Sequence, residues 1–384
     1  MKKIISVVCL VLLANSFASA QAGKSKLPDD ARQQIIGKAK KLNLKSDDGF
    51  TINYQPLSVA DDGKFEYYAL FSNGNASVFC KPGAKEAFAV WGDILMAYNK
   101  LMTGDVVKDK NGKGRGHLEN QNFILGAPVS DEFRTPNKEG AGQHFEGGSI
   151  YWSPGTGAHE IHGAIKDKWA ALGWENSFLG FPVTDEKPTP DGYGRFNFFE
   201  GGAIYFHPHL GTFAIPKGII EIWKREGWEK GKLGYPVGDE IVKNNNSVQY
   251  FEFGAVISVK AGPYQVIFNS MRSTYGLYTK WKATGGVDSY LGDLVTPNKN
   301  YPKMYRYYFA EFQKGFIYEN PNASNAFVIK KGPFFDYYAS KKWETGYLGL
   351  PVSDEIPSRD NFTIQKFEGG TIIYNPSTGA YEKK

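Results

Sequence analysis

The sequence predicts a mainly β fold with short helices, built from about five copies of one unit. Aromatic residues make up 15% of the 384 residues and there are 44 glycines, a mixture that favours short strands and tight turns. A motif of the form Leu-Gly-x-Pro-Val-x-Asp-Glu recurs along the chain, and a second motif, close to Phe-Glu-Gly-Gly-x-Ile-Tyr, follows it each time. Two motifs that recur together at a fixed spacing indicate a repeated supersecondary unit.

The first motif is predicted to form a structural corner. It reads LGAPVSDE from Leu125, LGFPVTDE from Leu179, LGYPVGDE from Leu233 and LGLPVSDE from Leu348, with a degenerate copy, LGDLVTPN, from Leu291. Its Gly permits a positive φ, its Pro restricts the chain, and its Asp can accept backbone N–H bonds in an Asx turn. We therefore interpret four residues as turn aspartates: Asp131, Asp185, Asp239 and Asp354. The fourth copy has neither acid, so its corner is expected to form without them.

The second motif is predicted to be one strand of a hairpin. It begins at Phe145, Phe199, Phe251, Phe312 and Phe367, and a worn version, NGNASVF, begins at Asn73. Its apolar and small residues alternate, and its glycines suit a bulge or a close backbone approach. A Gly-led segment follows, in which Ile165, Trp169 and Leu172 have the spacing of one helical stripe. Each unit is thus expected to be a hairpin, a short helix and a corner, and only an array of such units can bury its apolar faces.

Two series of aromatic residues are candidates for ligand binding, because flat aromatic rings can stack on the apolar faces of sugars. One series lies on the helical segment of each unit and also fits a core position: Tyr98, Trp169, Trp223, Trp281 and Tyr338. The other lies five residues before the Leu-Gly pair: Trp174, Trp228 and Trp343. The second series borders the turn and is better placed to face a groove.

The N-terminus is predicted to direct export. Residues 1–20 have the pattern of a signal peptide, with Lys2 and Lys3 before an apolar run and Ala-Ser-Ala at the cleavage site. The apolar run, Ile4 to Phe17, is shorter than the roughly 20 residues of a membrane span. After cleavage no membrane span is expected, and the protein is predicted to be secreted or held in the cell envelope.

Three further segments complete the predicted organisation. Residues 21–64 form a leader with an amphipathic helix over Pro28–Leu42, and residues 65–384 form the repeat domain, with five units and a closing C-terminal hairpin. The Gly- and Lys-rich segment 103–121 is expected to be an exposed loop within the first unit.

Several classes of function find no support in the residues. The formal net charge of +5 is too small to indicate nucleic-acid binding, and only Cys9 and Cys80 are present, so Cys80 is expected to be a buried small residue. No nucleophile or phosphate-binding motif occurs, so no enzyme activity is predicted. Four identical Asp-Glu pairs suit a structural part better than a catalyst, although oxygen ligands converging on a central axis would suit calcium. His159 and His162 lack the i, i+4 spacing of a zinc-binding helix, so surface or turn histidines, no metal and no cofactor are expected.

These motifs resemble the LGFP-repeat family over about residues 65 to 384. The resemblance implies a closed array, a small propeller-like ring of about five units, in a secreted or cell-wall protein. It also implies modules that hold a protein on cell-wall polysaccharide. The sequence departs from the family pattern in the fourth copy, where Leu294 stands in the Pro position, and no catalytic domain is expected beside the repeats.

We therefore expect a secreted, non-catalytic module that binds cell-wall or extracellular polysaccharide, with other envelope proteins as further partners. A scaffold for protein partners without glycan binding is one alternative. A glycan hydrolase that uses a non-repeated acid, such as Glu119 or Asp336, is the other. The worn first hairpin and the last hairpin are expected to meet and close the ring, which would remove sheet edges.

Overall fold

The computed structural model describes residues 29–44, 56–58, 66–72, 76–81, 83–103, 124–136, 139–243, 245–270, 274–301 and 304–383. The predicted signal peptide, Glu119 and nearly all of the predicted exposed loop lie outside these residues. Within the described part of the chain, no helix combines the length and the apolar character that crossing a membrane requires.

The described residues form six antiparallel sheets of four strands, each with its strands in sequence order. The first sheet contains β1 (Pro56–Ser58), β2 (Glu66–Ser72), β3 (Ala76–Cys80) and β4 (Phe88–Trp91). The second contains β5 (Phe133–Arg134), β6 (Ala141–His144), β7 (Gly148–Ser153) and β8 (Gly157–His162), and the third β9 (Lys187–Pro188), β10 (Arg195–Phe199), β11 (Gly202–His207) and β12 (Gly211–Pro216). The fourth contains β13 (Ile241–Lys243), β14 (Asn246–Tyr250), β15 (Gly254–Ser258) and β16 (Tyr264–Phe268). The fifth contains β17 (Leu294–Tyr301), β18 (Met304–Phe312), β19 (Gly315–Asn320) and β20 (Asn325–Lys330), and the sixth β21 (Ile356–Pro357), β22 (Thr363–Phe367), β23 (Gly370–Asn375) and β24 (Gly379–Lys383).

Six short α-helices accompany these sheets: α1 (Asp29–Lys41), α2 (Gly92–Thr103), α3 (Gly163–Leu172), α4 (Lys217–Arg225), α5 (Leu277–Ala283) and α6 (Pro333–Ser340). Single 3-10 turns follow the last four helices at Trp174–Asn176, Trp228–Lys230, Gly286–Asp288 and Trp343–Thr345, and another lies at Arg359–Asn361. The predicted fold class, mainly β with short helices, is confirmed. Each unit has more strands than the predicted hairpin. A further strand after each corner pairs with the strands that follow it and completes a four-stranded sheet.

The chain divides into two compact units, residues 1–132 with 143–146 and residues 133–142 with 147–384. In the first unit, α1 packs its buried Ala31, Ile35 and Ala39 against Val78 and Cys80 of β3. The predicted leader helix is therefore present, and its apolar side covers a sheet. The prediction that Cys80 is buried is confirmed, and burial raises the pKa of its thiol to about 11.

In the second unit, each helix joins its own sheet to the next one along the chain. Helix α3 buries Ile165 and Trp169 in one cluster with Ile161 of β8 and Ile204 of β11. It ends where Gly173 adopts a left-handed conformation and its N–H bonds back to Ala170 O. The apolar core therefore continues from one copy to the next, as expected for units that cannot bury their own faces.

The Leu-Gly-x-Pro segment is held by the Glu of the second motif. Gly180 has a φ of +70°, and a Cβ on it would lie 2.3 Å from Glu200 Oε2. That carboxylate oxygen accepts the N–H of Phe181 at 2.9 Å, and Pro182 bridges to Phe199. Equivalent bonds occur in the other copies, from Ala127, Tyr235, Asp293 and Leu350 to Glu146, Glu252, Gln313 and Glu368. The two sequence motifs recur together because they form one structure, a corner of the backbone.

We predict that Gly180→Ala lowers the unfolding temperature more than Gly192→Ala. Both glycines have a positive φ, +70° and +80°, but only Gly180 is pressed against a side chain. The conformational cost for Ala is about 1–2 kcal/mol at either site, and Gly180→Ala adds displacement of Glu200. Thermal unfolding followed by circular dichroism checks this. Equal losses for the two variants would show that the contact with Glu200 is unimportant.

Candidate functional site

Each turn aspartate binds the backbone of the preceding sheet. One carboxylate oxygen accepts an N–H from the last strand of that sheet, at 2.8–3.2 Å. The pairs are Asp131 with Ala89, Asp185 with Glu160, Asp239 with Ala214 and Asp354 with Val328. These aspartates were predicted to accept backbone N–H bonds within their own turn. The bonds described here run to a neighbouring sheet instead.

A buried amide side chain binds the carbonyl of the same strand residue. Its nitrogen donates to that carbonyl at 2.8–3.1 Å and also to a carbonyl of its own corner at 2.9–3.1 Å. These amides are Gln143, Asn197, Gln249 and Gln365, and none is exposed. We call the Asp, the amide and the strand residue that they bind a clasp. Sequence reasoning missed the amides, although a polar residue two positions before the motif Phe in four copies was a visible signal.

A basic residue completes each clasp. Lys38, Lys168 and Lys280 bind the carboxylates of Asp131, Asp239 and Asp354. Asp185 instead faces His159, whose Nδ1 lies 3.2 Å from its Oδ1. Lys168 and Lys280 each directly precede the helix aromatic, so the helix of one copy is tied to the corner of a later one.

The fourth copy replaces the clasp with a different pair of bonds. Pro297 stands in the Asp position and Ala310 in the amide position, so both members are missing together. Asn298, in the Glu position, accepts the N–H of Phe268 at 3.1 Å and donates to its carbonyl at 2.8 Å. This corner forms without the acids, as expected, and a carboxamide takes over the binding of a strand residue.

The five helix aromatics lie in the core. Tyr98, Trp169, Trp223 and Tyr338 have no exposed surface and Trp281 has 2%. Three of them bond to the carbonyl of the corner Gly, from Tyr98 Oη at 2.9 Å, Trp223 Nε1 at 3.0 Å and Tyr338 Oη at 2.8 Å. None presents a ring face on which a sugar could stack, so their role in this structure is to support the corner.

The second aromatic series is half-buried. Trp174, Trp228 and Trp343 adopt left-handed backbone conformations with φ of 57°, 56° and 55°, which bulky residues rarely do. Trp174 and Trp228 meet Trp169 and Trp223 edge to face at centroid distances of 5.2 and 5.3 Å, and Trp343 meets Phe335 at 4.9 Å. Trp174 and Trp228 therefore cover helix aromatics, Trp343 covers Phe335, and all three rings keep part of their own surface exposed.

A third aromatic series, which sequence reasoning missed, is the most exposed. Phe178, Tyr290 and Tyr347 directly precede the Leu-Gly pair and are 53%, 52% and 59% exposed. Ile124 holds this position in the first copy with 54% exposure, and Lys232 in the third. The exposure of this position could have been predicted from the sequence. The next residue is a core Leu, and consecutive side chains of an extended segment point to opposite sides, so the residue before the Leu points away from the core.

The histidines of the segment HEIH lie in a cluster of charged groups. His162 Nδ1 is 2.7 Å from Glu160 Oε2, and its Nε2 is 3.4 Å from Glu186 Oε1, which Arg195 Nε approaches to 3.3 Å. His159 and His162 were predicted to be surface or turn histidines, but they lie on β8 with only about a fifth of their side chains exposed. The carboxylates of Glu160 and Glu186, whose side chains are each 6% exposed, are not open to a substrate.

Burial lowers the pKa of His162, but the hydrogen bond that its ring donates to Glu160 and the charges of Glu160 and Glu186 outweigh burial and Arg195 and raise the pKa overall. Burial, followed by the charge of Glu160, raises the pKa of Glu186. His162 and Arg195 thus lie beside two carboxylates, those of Glu160 and Glu186. Among the residues that the structure describes, no group of three or more His, Cys, Asp or Glu side chains is placed to hold a metal ion.

We predict that Asp239→Ala destabilises the protein by about 1–3 kcal/mol, because the N–H of Ala214 loses its acceptor in a protein interior. Asp239→Asn keeps an acceptor and loses only a partly exposed ion pair, so its cost is about 0–1 kcal/mol. Gln249→Leu, which leaves two carbonyls unpaired, should cost as much as Asp239→Ala. Urea unfolding measures all three. An equal effect of Asp239→Asn and Asp239→Ala would assign the stabilisation to Lys168 instead.

We predict that His162 makes stability depend on pH. A group whose pKa is raised by folding stabilises the protein below its unfolded pKa of about 6.5, and this stabilisation is lost as the pH rises through the folded pKa. The unfolding temperature should therefore fall as the pH rises above about 6.5, and His162→Gln should reduce that fall. His209→Gln, at an exposed turn, is the matched control and should change nothing. An unaltered pH dependence in His162→Gln would contradict the assignment.

Comparison with solved structures finds remote likenesses, among them the following three. A streptogramin B lyase structure shares 9% identity, with 86% of each chain covered and a TM-score of 0.12. A dihydro-heme d1 dehydrogenase shares 11% identity over 86% of this chain and 57% of that one, with a TM-score of 0.13. PorZ of Porphyromonas gingivalis shares 8% identity over 88% of this chain and 37% of that one, with a TM-score of 0.15. The chain thus spans less than two thirds of the last two, and TM-scores this low support no transfer of fold or function.

No curated protein matches the chain. The family model of the LGFP repeat matches residues 125–177, 179–231 and 348–383. The first two matched segments each begin at a corner Leu and run through the second motif, a helix and a 3-10 turn, and the third runs from its corner to the last strand. The chain therefore carries LGFP repeats at these three segments, which confirms the predicted resemblance to the LGFP-repeat family there.

Proposed function

We propose that this protein is a secreted, non-catalytic module that binds cell-wall or extracellular polysaccharide through exposed aromatic residues. One observation carries the proposal: three copies place a half-exposed aromatic residue, Phe178, Tyr290 or Tyr347, at the same repeat position. Exposed rings of this kind suit the apolar faces of pyranose sugars, and recurrence in several copies suits a polymer with a repeating structure. Trp174, Trp228 and Trp343 offer further partly exposed rings. No cofactor and no nucleic acid take part in this proposal.

The location outside the cell rests on the signal-peptide pattern of residues 1–20.

We also propose that the repeats form a closed, propeller-like array, in which neighbouring copies are joined by clasps. A closed array would fix the spacing of the exposed rings, which a polymer with regular spacing could match. Small-angle X-ray scattering tests this, because a closed ring and an open solenoid of the same repeats have different radii of gyration.

The second candidate function is binding of a protein partner in the envelope, and one edge strand favours it. β13 is the outer strand of its sheet, and Ile241 and Val242 are 48% and 69% exposed there. The corresponding strands β9 and β21 contain Pro188 and Pro357, which discourage pairing at an edge. A partner strand could therefore add to β13 more easily than to those two edges.

We predict that the purified protein is retained on insoluble wall polysaccharide and that the triple variant Phe178→Ala/Tyr290→Ala/Tyr347→Ala is not. The reason is the loss of all three exposed rings at the shared position. A co-sedimentation assay measures retention, and unfolding temperatures confirm that the triple variant folds. The control variant, Tyr193→Ala/Tyr381→Ala, removes two exposed tyrosines at other positions and should be retained normally.

Three other outcomes would decide against this function. Wild-type protein that sediments with no wall fraction would refute polysaccharide binding. The protein-binding alternative would be favoured if the wild type captured a protein partner from extracts and the variant Ile241→Lys/Val242→Lys did not, while neither was retained on polysaccharide. Release of soluble sugar from a labelled polysaccharide would instead show that the protein is a hydrolase.

A further inference from the structure

We propose that Tyr290, Lys330 and Glu355 form the principal polysaccharide subsite and that it selects an uncharged sugar. The ring of Tyr290 would lie against a pyranose face, and the Lys330–Glu355 pair would bind two neighbouring hydroxyls. This inference rests on the proposed function and adds to it the location of the subsite and the charge of the ligand.

The three side chains come from two successive copies and meet at the surface. Tyr290 directly precedes the fourth Leu-Gly pair, Lys330 ends β20, and Glu355 is the acid after the turn aspartate of the last corner. Lys330 Nζ lies 5.9 Å from the centroid of the Tyr290 ring and 2.8 Å from Glu355 Oε2. Tyr290 is 52% exposed, and the Lys330 and Glu355 side chains are 49% and 20% exposed. The site therefore combines an open aromatic surface with a donor and an acceptor beside it.

The lysine and the carboxylate form a fixed pair of opposite hydrogen-bonding roles. The ammonium can donate to one hydroxyl oxygen while the carboxylate accepts from the hydrogen of the next hydroxyl, which suits a vicinal diol. The hydrogen bond that Lys330 donates to Glu355 raises the pKa of Lys330, despite the opposing effect of burial, so the ammonium stays charged. Burial is also the main cause of the raised pKa of Tyr290, which keeps the phenol neutral.

Charges around the site balance, which argues for an uncharged ligand. Asp354, next to Glu355, already binds Lys280 and the N–H of Val328. Two carboxylates thus face two ammonium groups. An anionic sugar would meet the repulsion of Asp354 and Glu355, and a cationic sugar that of Lys280 and Lys330, whereas a neutral sugar meets neither.

The equivalent positions of two other copies are closed or rearranged. In the third and fourth copies the lysine and the aromatic residue have exchanged positions: Lys232 stands where Tyr290 does, and Phe268 stands where Lys330 does. Lys232 Nζ lies 4.8 Å from the centroid of the Phe268 ring, and Phe268 is only 8% exposed. In an earlier copy His162 and Glu186 take the positions of Lys330 and Glu355, and Arg195 and burial close that pair. Of these three places, only the one at Tyr290 presents both an exposed ring and an accessible ion pair.

The test uses the full protein and measures binding to three polysaccharides by affinity electrophoresis: an uncharged β-glucan, anionic polygalacturonate and cationic chitosan. We expect the wild type to bind the uncharged polymer best. Tyr290→Ala should weaken that binding by about tenfold or more, and Glu355→Gln by severalfold, because the acceptor charge and the Lys330 pair are lost. Tyr290→Phe keeps the ring and should bind nearly as well as the wild type. Tyr193→Ala, which removes an exposed tyrosine outside the shared repeat position, is the matched control and should bind as well as the wild type.

The outcomes separate this inference from the proposed function. If the wild type binds and Tyr290→Ala binds equally well while Phe178→Ala or Tyr347→Ala does not, the subsite assignment is wrong and polysaccharide binding stands. Stronger binding of the anionic or cationic polymer would overturn the charge selection. If the wild type binds none of the three polymers or any wall fraction, the proposed function fails and the subsite with it. Unfolding temperatures within a few degrees of wild type confirm that each variant folds.

Discussion

Backbone groups at the last strand of a four-stranded sheet need partners, and most of these sheets obtain them from side chains of the following copy. In each clasp the N–H of one strand residue donates a hydrogen bond to an aspartate carboxylate. The carbonyl oxygen of the same residue accepts one from a buried amide side chain. Because an unpaired backbone group in a protein interior costs about 1–3 kcal/mol, this arrangement couples the folding of one copy to the presence of the next. The clasp also directs the corner, since both side chains must reach the same residue.

The rest of the repeat can be understood as support for that geometry. Glycine at a positive φ lets the corner pass beside the glutamate of the second motif, and that glutamate binds the corner N–H. The helix aromatic lies beneath the corner and, in three copies, bonds to its glycine carbonyl. Since the residue before the Leu-Gly pair projects from this fixed corner, its exposed side chain is displayed at an equivalent place in several copies. A rigid interior therefore determines where the candidate binding residues lie on the surface.

The sequence was sufficient for the repeat, the fold class and the corner, because each depends on local chemistry or on periodicity. It was not sufficient for interactions between copies. Asp185 has the composition of an Asx turn, and only the folded chain shows that it binds Glu160 of another strand. Gln249 is an ordinary polar residue in a strand until its two carbonyl partners are known. Phe178 belongs to an apolar motif, and its exposure can be inferred once Leu179 is assigned to the core.

The altered fourth copy gives the array an order that its repetition alone would not. Lys168 and Lys280 each find an aspartate, whereas α4 carries Ile222 at the matching position and the corner of the fourth copy carries Pro297. If two copies exchanged places, an ammonium would lie opposite Pro297, or an aspartate opposite Ile222, without a partner of opposite charge. A single polar residue can fix the register of a coiled coil in the same way. The irregular fourth copy thus distinguishes the copies from one another. It disfavours pairing of a helix with the corner of the wrong copy during folding.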